Sequence, residues 1–294
     1  MTPRPGFIDP RLYQATVLAG LLIYGGLALG FDITASRAAL LLGAALATQL
    51  ACSRLTRLPS TDYRSALISA LSLCLLFRTG DPWLAMAAAT MAVASKFVVR
   101  VNGKHVFNPT NIAAVVLLAV SDRVWVSPGQ WGSVGWFAFL MACLGSLVVT
   151  RAARADVTIA FLASYAALLI GRAWWLGDAL RIPLHQLQGG ALLLFAFFMI
   201  SDPKSTPDSR RGRVLFAALV AAGGWYVQFR LFHTNGPLWA LAACSPLVPV
   251  IDYLLPGARY AWPARSHSLL EEQSHAPHIA HDRLHDRPAA AVAR

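Results

Sequence analysis

Eight polar side chains able to do chemistry fall within sixteen residues: Lys96, Arg100, Asn102, Lys104, His105, Asn108, Thr110 and Asn111. Runs of Ala, Val and Leu flank them on both sides. Amides and a hydroxyl give and take hydrogen bonds, while lysine and arginine hold negative charge. Pro109 has no N–H and restrains Asn108, so a regular helix is not expected to run straight through. A broken polar element at the end of a membrane helix is tolerated only where protein buries it or it lines a cavity. That makes the stretch a candidate site. An ordinary cytoplasmic loop, with Asn108 or Thr110 capping the next helix, fits it as well.

A second polar stretch, SDPKSTPDSRRGR, spans residues 201–213. Asp202 and Ser201 suit a turn, and Pro203 and Pro207 stop any helix. A phosphate, a ribityl chain or an acidic protein could meet its basic surface. Arg210, Arg211 and Arg213 read more simply as a signal that fixes membrane orientation, but Asp202 and the two prolines serve no such purpose. No catalytic set for hydrolysis accompanies either stretch: the chain has no GxSxG, HExxH or phosphate-binding glycine loop. His105 is the only histidine in the first 184 residues, so haem held by histidine pairs inside helices is not expected. Cys52, Cys74, Cys143 and Cys244 stand apart without CxxC spacing and read as small buried hydrophobes rather than metal ligands.

The elements that carry these stretches are apolar. Of 294 residues, 56% are hydrophobic and 13% charged, and the mean hydropathy is +0.53. A soluble domain of this length carries about twice that charge. Apolar blocks alternate with short basic loops, the pattern of an all-α polytopic membrane protein. The net charge of +11 sits in loops at helix ends, which fits orientation and anionic lipid rather than nucleic acid. The first block is followed directly by a second of similar kind, so it reads as a span rather than a cleaved signal.

About ten spans are expected: 13–30, 37–52, 65–77, 83–99, 111–120, 132–150, 157–170, 189–200, 214–229 and 238–255. Residues 1–12 form a cytoplasmic segment, 13–255 the bundle, and 256–294 a cytoplasmic tail expected to be disordered, whose five histidines read as solvent-exposed side chains. With the N-terminus in the cytoplasm, fourteen Lys and Arg fall on inside segments and five in the tail, against six outside. This satisfies the positive-inside rule with both termini cytoplasmic. Trp125, Trp131, Trp174 and Trp175 then fall at the outer interface.

Five spans precede the 121–131 loop and five follow it, so a repeat of halves 13–120 and 132–255 must come back inverted. LLFRTGDPW and FFMISDPKS end short segments at matching places, as FNPTN and HTNGP link later spans. The short segments hold roughly a dozen apolar residues, about 18 Å of helix against about 30 Å of hydrocarbon. Short spans in matching places point to a central site. Helices extending into polar flanks would account for the same lengths.

In KHVFNPTN and FFMISDPKSTP the chain resembles the NqrB/RnfD family over most of residues 13–255. These are membrane subunits of the sodium-translocating NADH:quinone oxidoreductase and of the Rnf electron-transport complex. The resemblance implies a 5+5 inverted repeat similar to urea transporters, in a bacterial inner-membrane complex with other membrane redox subunits and a soluble electron donor. It implies a flavin, riboflavin or FMN, and usually an FMN esterified to a threonine in the outer loop before the eighth span. Here that loop, residues 174–190, has no Ser or Thr, so covalent FMN is not expected there. A noncovalent flavin near the cytoplasmic face is expected to meet Lys104, His105, Asn108, Thr110, Asn111, Asp202, Lys204 and Thr206. The alternative on the same fold is a small-solute transporter or channel.

Overall fold

Local chemistry sets several of the helix starts. In the computed structural model, which describes residues 9–58, 60–126 and 135–261, α1 is Pro10–Ala28 and α2 is Ala35–Leu55, the latter capped by Thr34. After α3 (Tyr63–Leu76) the backbone extends into β1 (Phe77–Thr79). Asp81 caps α4 (Pro82–Val98), with proline in its first turn, where no N–H is needed. A two-residue hairpin follows, β2 (Arg100–Val101) against β3 (Lys104–His105). Its turn is Asn102-Gly103, both at positive φ, the pairing that such a turn requires. Asn108 then caps α5 (Pro109–Val120), and β4 (Val124–Val126) returns to pair antiparallel with β1, Phe77 opposite Val126.

The second half begins with α6 (Gly135–Arg151) and α7 (Ala155–Leu176), which ends at Gly177 in the left-handed conformation. The short α8 (Arg181–Leu187) and α9 (Gly190–Leu194) lead into a π-helical turn, Phe195–Met199. Ser209 caps α10 (Arg210–Phe229). Then α11 (Gly236–Cys244), a 3₁₀ turn (Ser245–Leu247) and α12 (Val248–Leu254) run on without a loop.

Two packing groups result. One buries α2, α3, α4 and α5 around Leu73, Ala88, Ala92 and Val93. The other gathers α1, α6, α7, the π turn, α10 and α11 around Phe161, Phe195, Phe216 and Leu241. Contacts are matched between halves: α1 lies on α3 as α6 lies on α9, α2 on α4 as α7 on α10, and α4 on α5 as α10 on α11.

The chain is a polytopic helical membrane protein. Among the described residues, four helical stretches are long and apolar enough to cross a bilayer, or five counting α8 with α9 and the π turn, which meet at 47°. Only 22–39% of the apolar windows in the four are buried by protein. In water the remaining faces, with Ile159, Val214, Leu219 and Val250 exposed, would cost too much; hydrocarbon is their natural solvent. The other apolar helices are shorter.

The structure departs from the sequence reading in detail. The 121–131 loop contains β4, and the segment after the seventh span contains α8. The tenth span is interrupted by the 3₁₀ turn, where Pro246 and Pro249 deny the regular helix its N–H donors. The knot at 96–111 is a hairpin followed by a cap, so the capping expectation for Asn108 is met. The tail beyond 261 lies outside the described residues.

Candidate functional site

The two polar stretches come together, but through bonds to protein. Lys104, on β3, pairs with Asp208 at 3.0 Å and Asp252 at 2.8 Å. Asp252 also accepts the backbone N–H of Asp208, 2.7 Å away, and Arg213 forks onto Asp156. Such pairs hold because each charge taken from water has a charged, hydrogen-bonded partner. Asp202 accepts from the Lys204 N–H and the Ser205 hydroxyl, which closes the turn after the π segment. The Thr206 hydroxyl donates to the Asp202 carbonyl and accepts from Arg154. Thr110 donates to the Ser69 carbonyl. Lys204 donates to the Tyr260 carbonyl.

Asn108 and Asn111 reach from α5 into the second half of the bundle. Asn108 accepts the Asn111 N–H and donates to the Met199 carbonyl at 3.2 Å. Asn111, fully buried, donates to the Leu238 carbonyl at 3.1 Å. Its own side-chain oxygen is buried without a partner among the described residues. One helix start thus ties down the end of the π turn and the first turn of α11. The π turn needs such help because its bond pattern leaves carbonyls to be met otherwise. Thr158 donates to Ala196 and Ser201 to Phe197.

Beside these carbonyls lies a cavity of about 420 Å³. Its walls come from Leu76 and Val126, from Gln186 to Leu192, from Phe195 and Met199 on the π turn, from Tyr165 and Gln228, and from the Phe232–Leu238 turn. Among the described residues, no Lys, Arg, Asp or Glu lines it. The Tyr165 hydroxyl donates to Gln228 at 2.7 Å. Of the eight residues expected at a cofactor, none lines this cavity, though Asn108 and Asn111 hold its wall residues Met199 and Leu238. A smaller pocket of about 250 Å³, lined by Lys104, His105, Asp208 and Asp252, opens among the paired charges. Burial holds the His105 imidazole below its ordinary pKa, with Asp202 opposing and Lys96, Arg100 and Lys204 adding to the effect; its Nδ1 has no hydrogen-bond partner among the described residues.

Several residues of this region were not foreseen. Asp208 and Asp252 lie 104 and 148 positions from Lys104, and no local pattern links them. Tyr165 and Gln228 sit in unbroken apolar helices. Arg78 is 1% exposed and donates to the Cys74 and Phe77 carbonyls, closing the end of α3. The hairpin did carry a signal, Asn102-Gly103.

Comparison with known proteins points to one family. Residues 121–261 match the NQR2, RnfD, RnfE family. This stretch includes FFMISDPKSTP but not KHVFNPTN, so the match is narrower than the resemblance over most of 13–255. The D subunit of the ion-translocating oxidoreductase complex of Citrobacter koseri is 29% identical over 126 residues, which cover 42% of this chain and 34% of that protein. Its counterparts in Escherichia coli UTI89 and Escherichia fergusonii are 32% and 30% identical over the same shares. The aligned stretch spans about a third of the length of these curated relatives. Over residues 121–261, just under half of its length, the chain is similar to the NQR2, RnfD, RnfE family.

Proposed function

We propose that this chain is a membrane electron-transfer subunit of a multi-subunit oxidoreductase, and that it holds a flavin noncovalently in the 420 Å³ cavity. The observation that carries the reading is the cavity itself. It lies within the roughly 300–1,000 Å³ of small-molecule sites, whereas the pocket at Lys104 falls below that range. Apolar walls from Leu76, Val126, Phe195 and Leu192 suit a flat aromatic ring. Gln186, Gln228, Thr234 and Asn235 supply polar edges for its carbonyls and ring nitrogens. A bound flavin would supply the redox chemistry; the protein would orient it and exclude water.

On this reading the site moves from the cytoplasmic stretches towards the outer side, as the Lys and Arg distribution assigns it. Asn108 and Asn111 act on it through the carbonyls of Met199 and Leu238. Asp202 and Thr206 brace the turn after the π segment, Thr110 joins α5 to α3, and Lys104 anchors the cytoplasmic face, with His105 beside it. The outer loop at which family resemblance puts a covalent FMN borders the cavity at Gln186 and Gly189, but offers no hydroxyl.

The matched helix pairings support an inverted 5+5 repeat of about ten spans in the bacterial inner membrane, with both termini cytoplasmic. Other membrane redox subunits and a soluble electron donor would be its partners. Ion translocation would belong to the assembled complex, as the names of the relatives suggest for them.

Replacing Ala191, on the cavity wall, by Trp tests the assignment. The wild-type chain, purified in detergent, should show a flavin spectrum near one per chain. Ala191→Trp should reach the membrane at normal yield and lose at least nine-tenths of the flavin. A colourless wild-type protein, active in liposome solute flux, would replace this reading with the transporter; undiminished flavin in Ala191→Trp would move the site elsewhere.

A further inference from the structure

Three cations on the face that the charge count makes cytoplasmic differ from their neighbours. Lys104 has two carboxylates and Arg213 has one. Arg100, Lys204 and Arg259 have none within 4 Å among the described residues. They nevertheless converge from three separate elements. Arg100, on β2, donates to the Gly103 carbonyl at 2.9 Å. Arg259 stands over the same turn: a Cβ placed on Gly103 would lie 3.8 Å from its guanidinium. Lys204, in the turn after the π segment, donates to the carbonyl of Tyr260, the residue next to Arg259.

The chain from Gly257 to Tyr260 is held in place there. Gly257 packs on the backbone of Asp208 and Ser209 so closely that any side chain would clash. The Tyr260 ring lies 4.7 Å from the buried Arg154 guanidinium. The strap therefore fixes Arg259 beside two other cations instead of leaving it to drift apart from them in solvent.

Like charges brought together in this way repel. Burial lowers the pKa of Lys204; Asp202 opposes this, and Arg259, Arg100 and Arg11 lower it further. The Asp202 carboxylate is already engaged by the Lys204 N–H and Ser205. Membrane orientation requires positive charge on this side, but not its convergence from hairpin, turn and strap. An anion that binds all three would relieve the repulsion.

We infer that Arg100, Lys204 and Arg259 form a binding site for a phosphate group at the membrane surface. Guanidinium forks match phosphate oxygens in geometry, and an ammonium adds a point charge. The phosphate is either the headgroup of an anionic phospholipid or that of a small soluble anion. A basic pocket at the cytoplasmic boundary of a helical bundle suits both. The site is separate from the 420 Å³ cavity and does not depend on a flavin being there.

The test uses the full chain, purified in detergent and freed of lipid. Binding is measured to phosphatidylglycerol, to phosphatidylcholine and to inorganic phosphate. The wild type should bind phosphatidylglycerol or inorganic phosphate in preference to phosphatidylcholine. Combining Arg100→Gln, Lys204→Gln and Arg259→Gln should weaken that binding about a hundredfold, at roughly one lost charge contact each. Arg259→Gln alone, on an exposed side chain that leaves the fold intact, should weaken it about fivefold. Arg57→Gln with Arg210→Gln, two exposed cations outside the cluster, should change it less than twofold. Phosphatidylglycerol binding without phosphate binding assigns the site to lipid; phosphate binding with the same triple dependence assigns it to a soluble anion. Equal binding by wild type and triple variant, or an equal loss in the control pair, would overturn the proposal and reduce the cluster to general surface charge.

Discussion

The charged face around Lys104 and the cavity beside the π turn are both polar features in an apolar chain, yet they are built in opposite ways. Around Lys104 two cations have found their counter-charges, Lys104 with Asp208 and Asp252 and Arg213 with Asp156, while Arg100, Lys204 and Arg259 have none within 4 Å among the described residues. The hydrogen-bonding capacity of the paired groups is spent on the fold. Around the cavity the described residues carry no full charges, only amides, hydroxyls and an imidazole, spaced along apolar walls. A conspicuous concentration of charge can be a fastening, while a sparse set of neutral polar groups around a void is the better candidate for a ligand.

The contrast between the two regions breaks most readily at Lys104. Lys104→Met leaves Asp208 and Asp252 facing each other in a largely buried place, and should cost about 3 kcal/mol in reversible unfolding in detergent micelles. Flavin content per folded chain should stay unchanged. A variant as stable as wild type but depleted of flavin would reverse the roles assigned to the two regions.

Asn111→Ala should cost less, about 1 kcal/mol, by deleting the buried hydrogen bond to the Leu238 carbonyl. Here the flavin-to-protein ratio should also fall several-fold, because Leu238 is a cavity wall. Asn108→Ala should act alike through Met199, with normal membrane yield. Unchanged ratios in both would leave the asparagines as helix caps and struts alone.

A pH titration sharpens the charged side. The folded pKa of His105 lies below the ordinary value of about 6.5. The unfolded chain therefore takes up a proton first as pH falls. The stability present above pH about 6.5 should be lost progressively below it, through the folded pKa. His105→Gln should flatten that part of the stability profile, and an unaltered slope would show that other groups dominate it.

The smallest effect is expected at Thr234, the one aliphatic hydroxyl on the cavity wall among the described residues. Thr234→Val should leave any flavin in place and still releasable. If flavin instead proves covalent in wild type and is lost in this variant, Thr234 has taken the part that the 174–190 loop cannot.

How much of this was legible beforehand follows the range of the interactions. Pro82 and Pro109 behind Asp81 and Asn108 mark helix starts within two residues, because capping is local. Chemistry within four residues also made the hairpin at Asn102-Gly103 readable, although its polar flanks drew attention as a site. The pairing of β1 with β4 was hidden: three-residue strands flanked by helix carry no alternation to count. Lys104 finds its carboxylates only when α12 and the 208 turn arrive, and the cavity exists only between elements. Site residues picked for polarity therefore gathered in the fastening, while Tyr165 and Gln228 stayed concealed in helices that read as apolar.

Whether a flavin sits, unattached, in the bundle decides the proposed function. Acid precipitation of the purified full chain answers this most directly, with flavin measured in both supernatant and pellet. About one flavin per chain should appear in the supernatant and none in the pellet. Flavin that stays with the precipitated protein, or a chain that yields no flavin, would contradict the assignment.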